Sequence, residues 1–270
     1  HVNPKEVLKS LRVNKVTTGY PSIDGVLGGG LGAGELGIIV GSPGRGKSVV
    51  LQDMAASAVM VPNSYVIVYT LEMSEKRYAE RLFRRFTGMN KEEVKAAPVE
   101  VRKQLQKLMT DTNSRLFIHE FPAKSVTIEE IHANIRSIKT KGYPVTAVYV
   151  DYADLIKPSS KRNDKRDELG DIFVQLRSVA QIEKVPIWTP TQGNRGSYKK
   201  VVVDMDDVAE DWSKGMTCDA MLTISQTADE KHDRKLRLFV AKNRNDRDKV
   251  QFEFMIDYDR MKLFDLGIEA

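Results

Sequence analysis

The sequence predicts an α/β fold: a mostly parallel central sheet flanked by helices, with antiparallel strands at one edge. Two observations carry that expectation. From residue 36 to 191, short runs rich in Val, Ile and Tyr alternate with segments of helical period, as strands joined by crossover helices require. Beyond residue 219, strand-like runs follow one another without a helical pattern between them, which suits antiparallel pairing. The expected strands are 36–41, 65–71, 115–119, 145–151, 186–191, 219–225, 235–242 and 250–257. Helices are expected over 47–60, 74–88, 91–111, 127–141 and 168–183. In the last of these, Leu169, Ile172, Phe173, Leu176, Val179 and Ala180 share one face, the mark of core packing.

At 270 residues the chain is long enough to bury a substantial core, and residues 17–270 read as one domain. Residues 1–16 are polar and basic and read as a linker or docking segment. No apolar run approaches the roughly 18–20 residues a membrane span needs, and the opening "HVNPKEVLKS" has no signal-peptide core. Cys218 is the single cysteine, which excludes an intramolecular disulfide and leads to the expectation of a reducing cytoplasm (a host's, were the chain viral). The four histidines are scattered and make no ligand-spaced cluster with Cys218, which argues against zinc and thiol chemistry. The 42 Lys and Arg against 37 Asp and Glu permit a polyanionic partner without requiring one.

Chemistry enters at "GSPGRGKS", Gly41 to Ser48, which fits G-x-x-x-x-G-K-[ST] between an expected strand and an expected helix. Glycines let the backbone curl round phosphates with its N–H groups inward, and the helix N-terminus adds positive potential. The nucleotide-binding segment is Gly41, Ser42, Pro43, Gly44, Arg45, Gly46, Lys47, Ser48 and Val49. Lys47 is expected to reach the β- and γ-phosphates of ATP, and Ser48 to ligate Mg²⁺. Ligands of such sheets bind outside the carboxyl ends of the strands, which locates the other candidates. "TAVYVDYADLI" ends a strand in Asp151, placed to hold Mg²⁺ through water, although an acid there also serves as a helix cap.

"VIVYTLEMSEKR" ends another strand in Glu72, positioned to polarise the water that attacks the γ-phosphate. The alternative is an acid stabilised by a helix dipole. "PIWTPTQGNR" ends with Gln192, whose amide can sense the γ-phosphate. "LFVAKNRND" ends with Lys242 and Arg244, either a solvated turn or charge supplied to a neighbouring subunit's nucleotide. Arg195, Lys199 and Lys200 flank Tyr198 in a long polar loop after Gln192, and Lys161, Arg162, Lys165 and Arg166 form a second basic cluster. Such clusters are solvated faces or contacts to a nucleic-acid backbone.

In their order, these segments resemble the motor domain of DnaB-type replicative helicases, which carry a RecA-like fold. "TLEMS" resembles that family's glutamate motif, "VYVDYADLI" its Asp-Tyr form of the metal-binding strand, "TQGNR" its Gln-x-Asn-Arg segment and "AKNRN" the strand end bearing a trans-acting lysine and arginine. The resemblance covers about residues 17–258. It implies an ATP-driven motor translocating 5′ to 3′ on single-stranded DNA as a homo-oligomer, a hexameric ring. Lys47, Ser48, Glu72, Asp151 and Gln192 would act in cis, and Lys242 and Arg244 in trans. The 193–215 loop, with Arg195, Lys199 and Lys200, would line the DNA channel; primase or a helicase loader would be a further partner. Arg81 falls where the family has an arginine, with a structural role implied. The family's N-terminal collar is not among these residues, which implies an excised motor domain or a member lacking it. Arg45 and Asp246 depart from the family pattern. The alternatives are a non-motor RecA-like ATPase, either recombinase or clock-type, and a helicase-related loader.

Overall fold

A computed structural model describes residues 15–160, 164–193, 217–245 and 247–268. Its elements run α1 (Pro21–Leu27), β1 (Leu36–Gly41), α2 (Lys47–Val59), β2 (Tyr65–Thr70), α3 (Glu75–Thr87), α4 (Lys91–Ala96), α5 (Pro98–Thr112), β3 (Arg115–Glu120) and α6 (Ile128–Thr140). Then come β4 (Ala147–Asp151), a 3₁₀ turn (Ala153–Leu155), α7 (Lys165–Glu183), β5 (Ile187–Gln192), β6 (Ala220–Ser225), α8 (Ala228–His232), β7 (Lys235–Asn243), β8 (Val250–Asp257) and β9 (Lys262–Ile268). The strands form one sheet in the order β3-β2-β4-β5-β1-β6-β7-β8-β9. Pairing is parallel from β3 through β6 and antiparallel from β6 to β9.

Physical causes are visible locally. The parallel strands β1, β4 and β6 are buried along their whole length because helices cover both faces. One core lies under α1, α2 and α3, with Ile23, Val50, Met54 and Tyr78 against β1, β2 and β4. The other lies under α6 and α7, where Ile131, Ile135, Phe173 and Leu176 meet the opposite face. β8 instead alternates, its Phe252, Phe254 and Ile256 buried and Met255 exposed, as an antiparallel strand covered on one face does. Gly37 lies against Trp188: a Cβ there would sit 2.3 Å from the indole, so only glycine lets β1 and β5 pair with that ring inside.

Four expectations are corrected. The 91–111 helix is two helices, because Pro98 holds Ala97 out of the helical region (φ −122°, ψ 52°) and then starts α5. α7 begins at Lys165, ahead of its apolar stripe, where Asp164 caps the amide of Arg166 at 2.8 Å. A short helix, α8, does follow residue 219, nucleated by the reciprocal Thr227–Glu230 capping box. β9 went unexpected, since Phe264 and Leu266 stay exposed and, among its described side chains, only Leu263 is buried. Lys15 donates to the Leu27 carbonyl, and Val16 pairs with Leu31.

Candidate active site

β1 ends at Gly41 and the chain turns at Gly44 (φ 72°) and Gly46 (φ 87°), left-handed positions at which a side chain would be strained, before α2 starts at Lys47. Arg45 does not face the loop's interior. Its guanidinium donates to the Gln226 carbonyl at the end of β6, and Lys231 of α8 reaches Gly44 O at 3.4 Å. Two cations therefore tie the loop to the β6–β7 connection. Lys47 Nζ donates to Gly41 O (2.8 Å) and Ser42 O (3.1 Å). Burial lowers its pKa, while the charges of Asp154, Glu72 and Asp151 work the other way.

Ser48 Oγ donates to Asp151 Oδ1 at 3.1 Å. Asp151 Oδ2 is buried and has no partner among the described residues. A buried carboxylate oxygen with nothing to pair with, beside a hydroxyl, suits a hydrated divalent cation, so Ser48 and Asp151 fit the Mg²⁺ that a phosphate loop implies. Leu71 N donates to Asp151 O (2.8 Å), and Thr70 Oγ1 donates to Met73 O (2.8 Å), so the turn carrying Glu72 is fixed to the metal-site strand. Glu72 itself is exposed in the cleft. Gln192 donates its amide to the Tyr152 hydroxyl at 3.2 Å, while Asp154 accepts from the Gln192 backbone N–H (3.0 Å) and from Thr191 Oγ1 (2.7 Å).

These groups border one cleft of about 550 Å³ that takes in Gly44, Gly46, Lys47, Ser48, Val49, Glu72 and Gln192, with Pro43 at its rim. The cleft also holds Arg81 and residues that sequence reasoning missed. Arg77 and Arg81 enter from one face of α3, Lys231 from α8 and Tyr258 from the β8–β9 turn. Arg81 lines the cleft half-buried, its pKa lowered by burial against the pull of Asp151. The spacing of Arg77 and Arg81, four apart on the helix after Glu72, was the available signal. Lys231 and Tyr258 gave none, because only the sheet order, with β6 beside β1 and β8 two strands beyond it, brings them to this side.

Lys242 and Arg244 lie elsewhere. β7 runs antiparallel, so Asn243 pairs with Ala220 at the level of Gly37, at the opposite end of the sheet from the phosphate loop. The rule of strand carboxyl ends does not place them with the other candidates. Lys242 Nζ donates to Cys218 O (2.8 Å), and Arg244, exposed just past the end of β7, pairs with Asp219 (3.0 Å). Arg195, Lys199 and Lys200, with Lys161, Arg162 and Asp246, lie outside the described residues.

Burial, with the Glu72 charge adding to it, pushes Asp151 up to about 7 against the Ser48 hydrogen bond and the nearby cations Arg81 and Lys47. An unfolded aspartate ionises near about 3.9. Between about pH 4 and 7 the folded chain therefore holds a proton that the unfolded chain has released. The stability this group contributes is fully present below about pH 4 and is lost as pH rises through 7. Calorimetric unfolding without nucleotide should show the parent losing stability relative to Asp151→Asn between about pH 4 and 7. A constant difference would mean an ionised carboxylate throughout.

Residues 15–262 match the family described as the DnaB-like helicase C-terminal domain. The chain belongs to that family. It is 26% identical to the replicative DNA helicase DnaB of Helicobacter pylori over 189 residues, which is 69% of this chain and 38% of that protein. Over 259 residues it is 22% identical to the DnaB of Geobacillus stearothermophilus, 92% of this chain and 56% of the other. The chain thus spans between about two-fifths and just over half of these relatives. Its fold matches a solved ATPase domain (TM-score 0.82, 18% identity, 98% of this chain and 96% of that one). It likewise matches a DnaB-like replicative helicase studied with primase (TM-score 0.80, 17% identity, 100% and 67%). No described helix is long and apolar enough to cross a membrane.

Proposed function

We propose that this chain is the ATP-hydrolysing motor of a ring-forming replicative DNA helicase, with nucleotide held between subunits. The observation carrying this reading is that Lys47, Ser48, Glu72 and Gln192, from separate segments, border one cleft with Asp151 behind Ser48. Family membership supports it, as do relatives named replicative DNA helicases. Backbone N–H groups of the loop and Lys47 bind the phosphates, Arg77 and Arg81 add positive charge across the cleft, and Tyr258 offers the base a flat apolar face. Ser48 and, through water, Asp151 would hold Mg²⁺, which would supply positive charge to the phosphates. Glu72 takes a proton from water as its oxygen bonds the γ-phosphorus; the bond to the bridging oxygen breaks and ADP leaves with that electron pair. Gln192 senses the γ-phosphate, and the segment that follows, with Arg195, Lys199 and Lys200, carries its state to single-stranded DNA. The ring is a hexamer acting in the cytoplasm, with primase or a helicase loader as partner.

The test is unwinding of a forked duplex with a 5′ tail. Strand separation should require ATP and vanish in Lys47→Ala; ATP hydrolysis with no unwinding would favour a non-motor ATPase. Neutralising Lys199 and Lys200 together should weaken single-stranded DNA binding and flatten its salt dependence. About 0.7 of a log–log unit of slope should go per lost phosphate contact. An unchanged slope would remove these lysines from the DNA path.

A further inference from the structure

At the far end of the sheet, one buried carboxylate organises several cations. Asp219 immediately precedes β6 and is 4% exposed. Its Oδ2 accepts from the Leu36 amide at 3.0 Å, and its Oδ1 accepts from Arg177 of α7 at 2.8 Å. Those two bonds already anchor and neutralise it. Arg244 is added to the same Oδ1 at 3.0 Å, and its backbone N–H donates to Asp219 O at 2.8 Å. Main chain and side chain of Arg244 are thus clamped at two points to a residue that is itself fixed to β1. Lys242 stands beside them, its pKa lowered by burial and by the charges of Arg244 and Arg177. Three cations surround one carboxylate. A stabilising cross-link between β6 and α7 needs only one. The excess leaves this cluster with net positive charge, complementary to the phosphates of a bound nucleotide.

We infer that Asp219 is a positioning residue for Arg244, holding its guanidinium in the place from which it meets the γ-phosphate bound by the neighbouring subunit. This rests on the reading of Arg244 as acting in trans. A long, rotamer-rich side chain loses entropy when it docks, and fixing it beforehand removes that cost from the transition state. Arg177 supports the arrangement by holding Asp219 from the other side.

Subunit mixing tests the assignment, because the clamp matters only in the subunit that donates the arginine. Acceptors carry Arg244→Ala with an intact phosphate loop; donors carry Lys47→Ala with an intact arginine. Placing Asp219→Asn in the donor should cut the ATPase recovered in mixed rings by about tenfold to a hundredfold, the scale of a misplacement of about 1 Å. The same substitution in the acceptor, which has no Arg244 to position, should leave the recovery within about twofold. Arg177→Gln, which spares the Leu36 bond, should show the same asymmetry at smaller size. Equal recovery with and without the donor substitution overturns the proposal and leaves the trans reading intact. Equal loss in both placements also overturns it, since Asp219 would then be serving the fold. If unsubstituted donors and acceptors exchange subunits yet recover nothing, the trans reading itself fails, and the inference with it.

Discussion

Glu72→Gln should bind Mg·ATP as the parent does and hydrolyse it about 10²–10⁴ times more slowly, the usual loss when a general base is removed. The amide keeps the shape of the carboxylate but cannot accept a proton from water. The surroundings make the substitution clean. Glu72 is exposed to the cleft, while the turn that carries it is fixed by neighbours: Thr70 to Met73, and Leu71 to the Asp151 backbone. Removing its charge should therefore leave the turn in place. It also removes a charge that raises Asp151, so Mg²⁺ binding should extend to slightly lower pH. Equilibrium titration with a fluorescent nucleotide, beside single-turnover hydrolysis, separates binding from chemistry. A drop in turnover of less than about threefold would reduce Glu72 to an acid at a helix start.

Much of this arrangement is legible in sequence because each parallel strand announces itself. Val66 to Tyr69 and Val148 to Val150 are unbroken apolar runs, and buried strands in a parallel sheet must be. Each run ends abruptly in a polar residue at the same edge, so Glu72, Asp151 and Gln192 could be grouped before the strand order was known. The antiparallel edge lacks that property. Reversal at β7 sends Lys242 and Arg244 to the opposite end, and no local pattern distinguishes a strand running up from one running down. β9 is half-covered, and its Phe264 and Asp265 read as easily as a loop. Tyr258 and Lys231 come to the cleft only because β6 and β8 run parallel to β1, a consequence of pairing between distant segments. Asp219 looked like the first residue of a strand, and its two arginines arrive from α7 and from the end of β7.

Arg244→Ala should fold, bind nucleotide and lose about 10³–10⁵ of its ATPase rate, the scale on which an arginine at a transferring phosphoryl group acts. The reason is geometric. Arg244 follows Asn243, which pairs with Ala220 at the level of Gly37, whereas the phosphate loop begins after Gly41 at the other end of the same sheet. A guanidinium clamped to Asp219 there cannot attend its own γ-phosphate without abandoning the strand that carries it. Binding in cis should survive, since Lys47, Ser48 and the loop amides are untouched. Stability should fall only modestly, because Arg177 still pairs with Asp219 after the substitution. The decisive measurement mixes two inactive proteins. Rings containing Arg244→Ala and Lys47→Ala subunits include interfaces with an intact phosphate loop on one side and an intact arginine on the other. Hydrolysis should reappear there, rise with the fraction of mixed interfaces, and require subunit exchange, followed with a fluorescent label on one variant. Lys242→Ala should complement in the same way with a smaller initial loss, being a compact charge without the guanidinium's fork. Exchange without recovered activity would place the catalytic cations in cis, and Arg77 and Arg81, which already face the cleft, would be the ones to test next.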